Sequence, residues 1–111
     1  MANCVMDLHS ASIFPTDSPR RFTTDVQMGC TNGVGNCTWT ENTTILRYSS
    51  QLKDWVRISQ TEYYRTAACG SSPGQYLSEF PIGSAGRFKC ILWIGTGSTQ
   101  ITQIESEHVF P

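Results

Sequence analysis

A chain of 111 residues with a formal charge of −1 and only 15% charged residues holds one core and little more. It lacks the basic excess of a dedicated nucleic-acid binder. Serine, threonine and glycine are abundant, and no run is long and apolar enough for a membrane-spanning helix. These features describe a single β-rich domain over 1–111, with an extracellular character.

In chain order, Cys4 to His9 alternates as a first strand. Pro15 and Pro19 interrupt Ser12 to Arg21, which reads as a loop. Phe22 to Met28 is a strand. Thr38-Trp-Thr40 leaves a turn, Glu41-Asn42 makes another, and Thr44 to Tyr48 is a short strand. Asp54 to Thr66 is the longest extended stretch. If no bulge intervenes, Trp55, Arg57, Tyr63 and Arg65 share one of its faces. Ala67 to Gly74 is a loop, Tyr76 to Phe80 a strand stopped by Pro81, and Gly83 to Gly86 a turn.

The clearest core element is Arg87-Phe-Lys-Cys-Ile-Leu-Trp-Ile-Gly95. Phe88, Cys90, Leu92 and Ile94 lie on one face, with Lys89, Ile91 and Trp93 on the other. This predicts a central strand covered on both sides, with Lys89 near its end. Gly95 to Ser98 turns the chain into a partner strand from Thr99 to Ile104. Glu105 to Pro111 reads as a fraying tail. Seven or eight short strands predict a sandwich, a small barrel or a twisted antiparallel sheet, all-β or β-rich and disulfide-stabilised.

Five cysteines stand at positions 4, 30, 37, 69 and 90. No pair is spaced Cys-x-x-Cys, so no metal site or cofactor is signalled. Disulfides and secretion are the expectation. Cys30 and Cys37 flank a turn-forming segment and should pair, with Cys69 and Cys90 next. Cys4 is then free or joins a second chain as a homodimer. Its pairing with Cys69 or Cys90 stays open. Asn36-Cys-Thr38 and Asn42-Thr-Thr44 are glycosylation sequons.

For binding, Trp55, Arg57, Tyr63 and Arg65, together with Trp39, offer rigid aromatic area and bidentate donors. The same residues also suit packing beneath a loop. The expected partner is a protein or a glycan, and no membrane span is expected. A lectin-like domain would use Trp39, Trp55 and Tyr63.

The run Tyr76-Leu-Ser-Glu-Phe-Pro81 resembles the catalytic-glutamate strand of small secreted fungal ribonucleases and ribotoxins. The resemblance implies Glu79 as general base, Arg87 as the phosphate-stabilising arginine and RNA as substrate. Ile101-Thr-Gln103 resembles the family's closing Ile-Thr-His with glutamine in the histidine's place, and His108 follows too late. That departure implies a ribonuclease-like scaffold without its general acid. The reading is a secreted, non-enzymatic, effector-like binding protein. The alternative is an active endoribonuclease using Glu79, Arg87 and His108.

Overall fold

The computed structural model describes residues 5–32, 35–70 and 72–111. They form seven antiparallel strands and no helix: β1 (Val5–Asp17), β2 (Arg20–Asn32), β3 (Asn36–Ser49), β4 (Asp54–Ala68), β5 (Gly74–Pro81), β6 (Gly86–Thr96) and β7 (Thr99–Phe110). Sheet A has the order β1-β2-β5 and sheet B the order β4-β3-β6-β7. The chain crosses between the sheets from β2 to β3, from β4 to β5 and from β5 to β6. As a result β2 pairs with β5 while β3 pairs with β6. That interlock, and a buried tryptophan on the third strand, are features shared with immunoglobulin-like sandwiches. Such a likeness concerns architecture and assigns no function.

The two sheets bury their facing sides against each other. Phe22, Ile45, Phe80, Ile82, Phe88, Cys90 and Phe110 form one half of the core. Val26, Met28, Trp39, Leu92 and Ile94 form the other. Period-two alternation places these residues inward on β2, β3, β5, β6 and β7, with Ile82 following β5. Phe88, Cys90, Leu92 and Ile94 are all buried, as the sequence pattern requires.

The opposite face of β6 differs from expectation. Ile91 and Trp93 are only half-buried, because no second layer among the described residues lies over the outside of sheet B. Their cross-strand neighbours are Thr44 and Glu105 for Ile91, and Asn42 and Gln103 for Trp93. Trp93 shields itself by lying over Gly95, where an added Cβ would stand 2.3 Å from the indole and 2.5 Å from the Thr99 carbonyl oxygen. The turn itself is Gly97-Ser98, with Gly97 at φ 58°, a conformation that costs glycine nothing.

The strands are also longer than the sequence suggested. β1 runs through Pro15, which is tolerated because β1 is an edge strand. The expected turn at Glu41-Asn42 is instead the middle of β3, where Glu41 is 1% exposed. The expected tail is strand to Phe110, anchored by that ring against Phe22 and Phe88.

Candidate functional site

A single bulge decides which side chains of β4 stand together. Ile45 pairs with Ser59 but Leu46 pairs with Arg57, so β4 carries one extra residue at Ile58. The extra residue reverses side-chain parity along the strand. Trp55 and Arg57 therefore face outward on sheet B, whereas Tyr63 and Arg65 face the space between the sheets. The expected common face of Trp55, Arg57, Tyr63 and Arg65 is thus split in two. Trp39 belongs to neither half, being a core residue with 1% exposure.

The inward half is a polar bridge. Arg65 Nη2 donates to Ser78 Oγ on β5 at 2.5 Å, and its Nε lies 3.4 Å from Glu41 Oε2. Trp39 Nε1 donates to the same carboxylate oxygen at 2.9 Å. The guanidinium lies over Tyr63 at 4.6 Å and near Tyr76 at 5.9 Å. Arginine and tyrosines here tie the open side of the sandwich together, so they are structural partners first.

The outward half is where a surface forms. Tyr48 and Trp55 meet edge to face at 5.4 Å. Arg87 lies 4.9 Å from the Tyr48 ring and 5.1 Å from the Trp55 ring. Lys89 Nζ sits 4.4 Å from the Trp55 ring. Glu107 fixes Arg87 from the neighbouring strand at 2.6 Å. Lys89 is therefore not at a strand end reaching for water but in the body of the sheet, above an aromatic ring. Cations over exposed rings each contribute roughly 0.5–1 kcal/mol, enough to hold the cluster in one arrangement. Tyr48 also lines a shallow groove with Arg47, Val56 and Ile58, in which Val56, cross-strand from Arg47, faces the opposite side of β4 from Trp55 and Arg57. Leu52, Val56 and Ile58 are exposed. Tyr48 and Lys89 have no place in the binding set read from the sequence, where Lys89 is expected only as a strand-end residue. The available signal was the alternation Arg87-x-Lys89 on the polar face of the central strand.

The three residues of the ribonuclease-like set are not brought together. Glu79 lies outward on sheet A, paired with Arg21 at 3.1 Å. Arg87 lies outward on sheet B. His108 faces inward at the β1–β7 side, 2.7 Å from Asp17 and packed edge-on to Phe110 at 4.6 Å.

The cysteines meet at one end of the sandwich. Cys30 is bonded to Cys69, not to Cys37, because the segment after β4 brings a third sulfur to the end of β2, where the Gly70 N–H donates to the Cys30 carbonyl. Cys37 is also disulfide-bonded, with its Sγ 3.0 Å from Cys30 and 2.9 Å from Cys69. Cys90 is free and buried in the core, so the expected Cys69–Cys90 pair does not form. Burial pushes the Cys90 thiol up to about 12. Cys4 lies outside the described residues. As possible metal donors, the Sγ atoms of Cys30, Cys37 and Cys69 all lie within 4.8 Å of one another.

No family model matches the chain, and no curated protein matches it.

Proposed function

We propose that this domain is a non-enzymatic binding module that recognises a partner protein through the outer face of sheet B. The observation that carries the reading is the cluster of Tyr48, Trp55, Arg87 and Lys89 on that face. Tyrosine, tryptophan and arginine are the residues that dominate protein interfaces energetically. Held rigid by mutual stacking, they lose little entropy on binding.

The adjoining groove and the exposed Leu52, Val56 and Ile58 favour a protein over a glycan. They place aliphatic area at the same end of β3 and β4, joined to the aromatic cluster through Tyr48, with Val56 on the opposite side of β4 from Trp55. A Cys30–Cys69 bond supports an oxidising, extracellular setting.

The test is capture by the immobilised domain, run in parallel on a protein fraction and on a glycan array. Trp55→Ala and Arg87→Ala should each abolish capture of the protein, with unchanged circular dichroism. Capture that survives both substitutions would move the interface elsewhere. Retention of glycans that is lost in Trp55→Ala would instead favour the lectin reading.

A further inference from the structure

We propose that Cys30, Cys37 and Cys69, when reduced, are the thiolate ligands of a single thiophilic divalent ion, with zinc the metal that the donor set fits. Three separate segments deliver the sulfurs: the end of β2, the start of β3 and the residue just after β4. A crosslink needs two sulfurs. Here the Cys30–Cys69 bond and the bond at Cys37 bring three sulfurs together, with Cys37 Sγ 3.0 and 2.9 Å from the other two.

Backbone hydrogen bonds tie the same segments together alongside the sulfur–sulfur bonds. Gly70 N–H donates to the Cys30 carbonyl and Cys69 N–H to the Gly35 carbonyl, each at 2.9 Å. Gly35 and Gly70 both have φ 82°, which bends the chain beside Cys37 and Cys69 as only glycine does without strain. Cys30 and Cys37 are 2% and 1% exposed, so the donor atoms are shielded from bulk water. A tetrahedral zinc with bonds of about 2.3 Å separates its sulfurs by roughly 3.8 Å. The two Cys37 distances therefore widen by less than about an ångström, and the Cys30–Cys69 pair opens further once its bond is reduced. No fourth histidine, cysteine, aspartate or glutamate joins the group among the described residues, leaving the last position to water or another donor.

The oxidised and metal-bound forms exclude each other. A dithiol reductant passes two electrons and two protons to the Cys30–Cys69 bond and itself becomes a disulfide. Cys37, also disulfide-bonded when oxidised, is released by a second equivalent of reductant, which passes two further electrons and two protons to that bond. Metal binding then displaces three thiol protons and leaves three thiolates on the divalent ion. The disulfide form suits an oxidising compartment and the metal form a reducing one.

The experiment reduces the full chain with a phosphine, removes metal, and adds zinc in excess under anaerobic conditions. Native mass spectrometry should show one zinc per chain, and the melting temperature should rise by at least about 5 °C. If the reduced apo chain unfolds, zinc should restore its β-sheet circular dichroism. Cys30→Ser and Cys37→Ser should each lose the ion, while Cys90→Ala should keep it. A reduced chain that takes up no zinc, folded or unfolded, overturns the proposal. Zinc retained by both serine variants overturns it equally.

Discussion

Glu41 on β3 and Arg65 on β4 form an ion pair inside the sandwich, with the carboxylate Oε2 3.4 Å from the guanidinium Nε. Glu41 is 1% exposed, and its Oε1 has no hydrogen-bond partner among the described residues. An uncompensated charge at that depth is costly. Arg65→Met should therefore destabilise the domain by on the order of 3 kcal/mol, because it strands the carboxylate. The double variant Glu41→Leu with Arg65→Met should recover much of that loss, since neither charge is then buried. Urea denaturation of the three variants measures this. A double variant no better than Arg65→Met alone would mean that Glu41 is held mainly by Trp39.

The pair also shows why part of the fold was not legible in the sequence. Glu41 between Trp39 and Thr43 looks like a turn signal, because a charged residue breaks the apolar alternation. Its cation comes from Arg65, and a partner that distant in sequence leaves no local trace. The central strand was legible because its inward face needs only Phe88, Cys90, Leu92 and Ile94 at period two. The binding face was half legible. Trp55 and Arg57 stand where alternation places them, but the extra residue at Ile58 sends Tyr63 and Arg65 to the other side. A bulge is set by tertiary pairing and has no fixed residue signature here. In the same way, polar side chains mask the alternation through Ser106, His108 and Phe110, so this strand reads as a tail in the sequence.

The two faces of β6 should respond differently to truncation. Leu92 is fully buried between the sheets, so Leu92→Ala should cost about 2–5 kcal/mol. Ile91, half-buried among Thr44 and Glu105, should cost roughly 1 kcal/mol when cut to alanine, in line with partial burial. Equal losses at the two positions would indicate that something covers the outer face.

Gly95→Ala should destabilise by about 1–3 kcal/mol, as overpacking does. The added methyl meets the Thr99 carbonyl oxygen at 2.5 Å, which is backbone and yields little, as well as the Trp93 indole. Pairing the change with Trp93→Leu relieves only the indole clash. Partial rescue is therefore expected in thermal melts, and complete rescue would place the conflict in the side chain alone.

Cys90 provides a pH signature. Its thiol is raised to about 12 by burial, above the unfolded value of about 8.5. Between those two values the folded chain holds a proton that the unfolded chain has lost. The unfolded state thus binds fewer protons, and stability falls as pH rises, by up to about 1.4 kcal/mol per pH unit. Below the unfolded pKa this contribution is fully present. Cys90→Ala should flatten the alkaline limb of the stability profile above about pH 9. In the native state Cys90 should resist iodoacetamide and react only after denaturation. Rapid native alkylation of this thiol would contradict its burial.

The purified protein should not cleave RNA above the buffer background. Transesterification needs a base at the 2′-hydroxyl and an acid at the leaving oxygen, each within hydrogen-bond reach of one substrate. Glu79 lies on the outside of sheet A against Arg21, and Arg87 lies on the outside of sheet B against Glu107. His108 is held inward by Asp17. No single phosphodiester touches all three, since the sandwich itself stands between Glu79 and Arg87. Gln103, in the position where the resembling family has histidine, donates hydrogen bonds but has no acidic proton at neutral pH. Losing acid–base assistance is worth roughly 100- to 10,000-fold in rate. The assay follows cyclic-phosphate ends from a guanosine-containing oligonucleotide, comparing the parent with Glu79→Gln and His108→Ala. Three indistinguishable background rates are expected. Robust cleavage by the parent that disappears in both variants would defeat the binding-module reading and require a chain arrangement different from this sandwich.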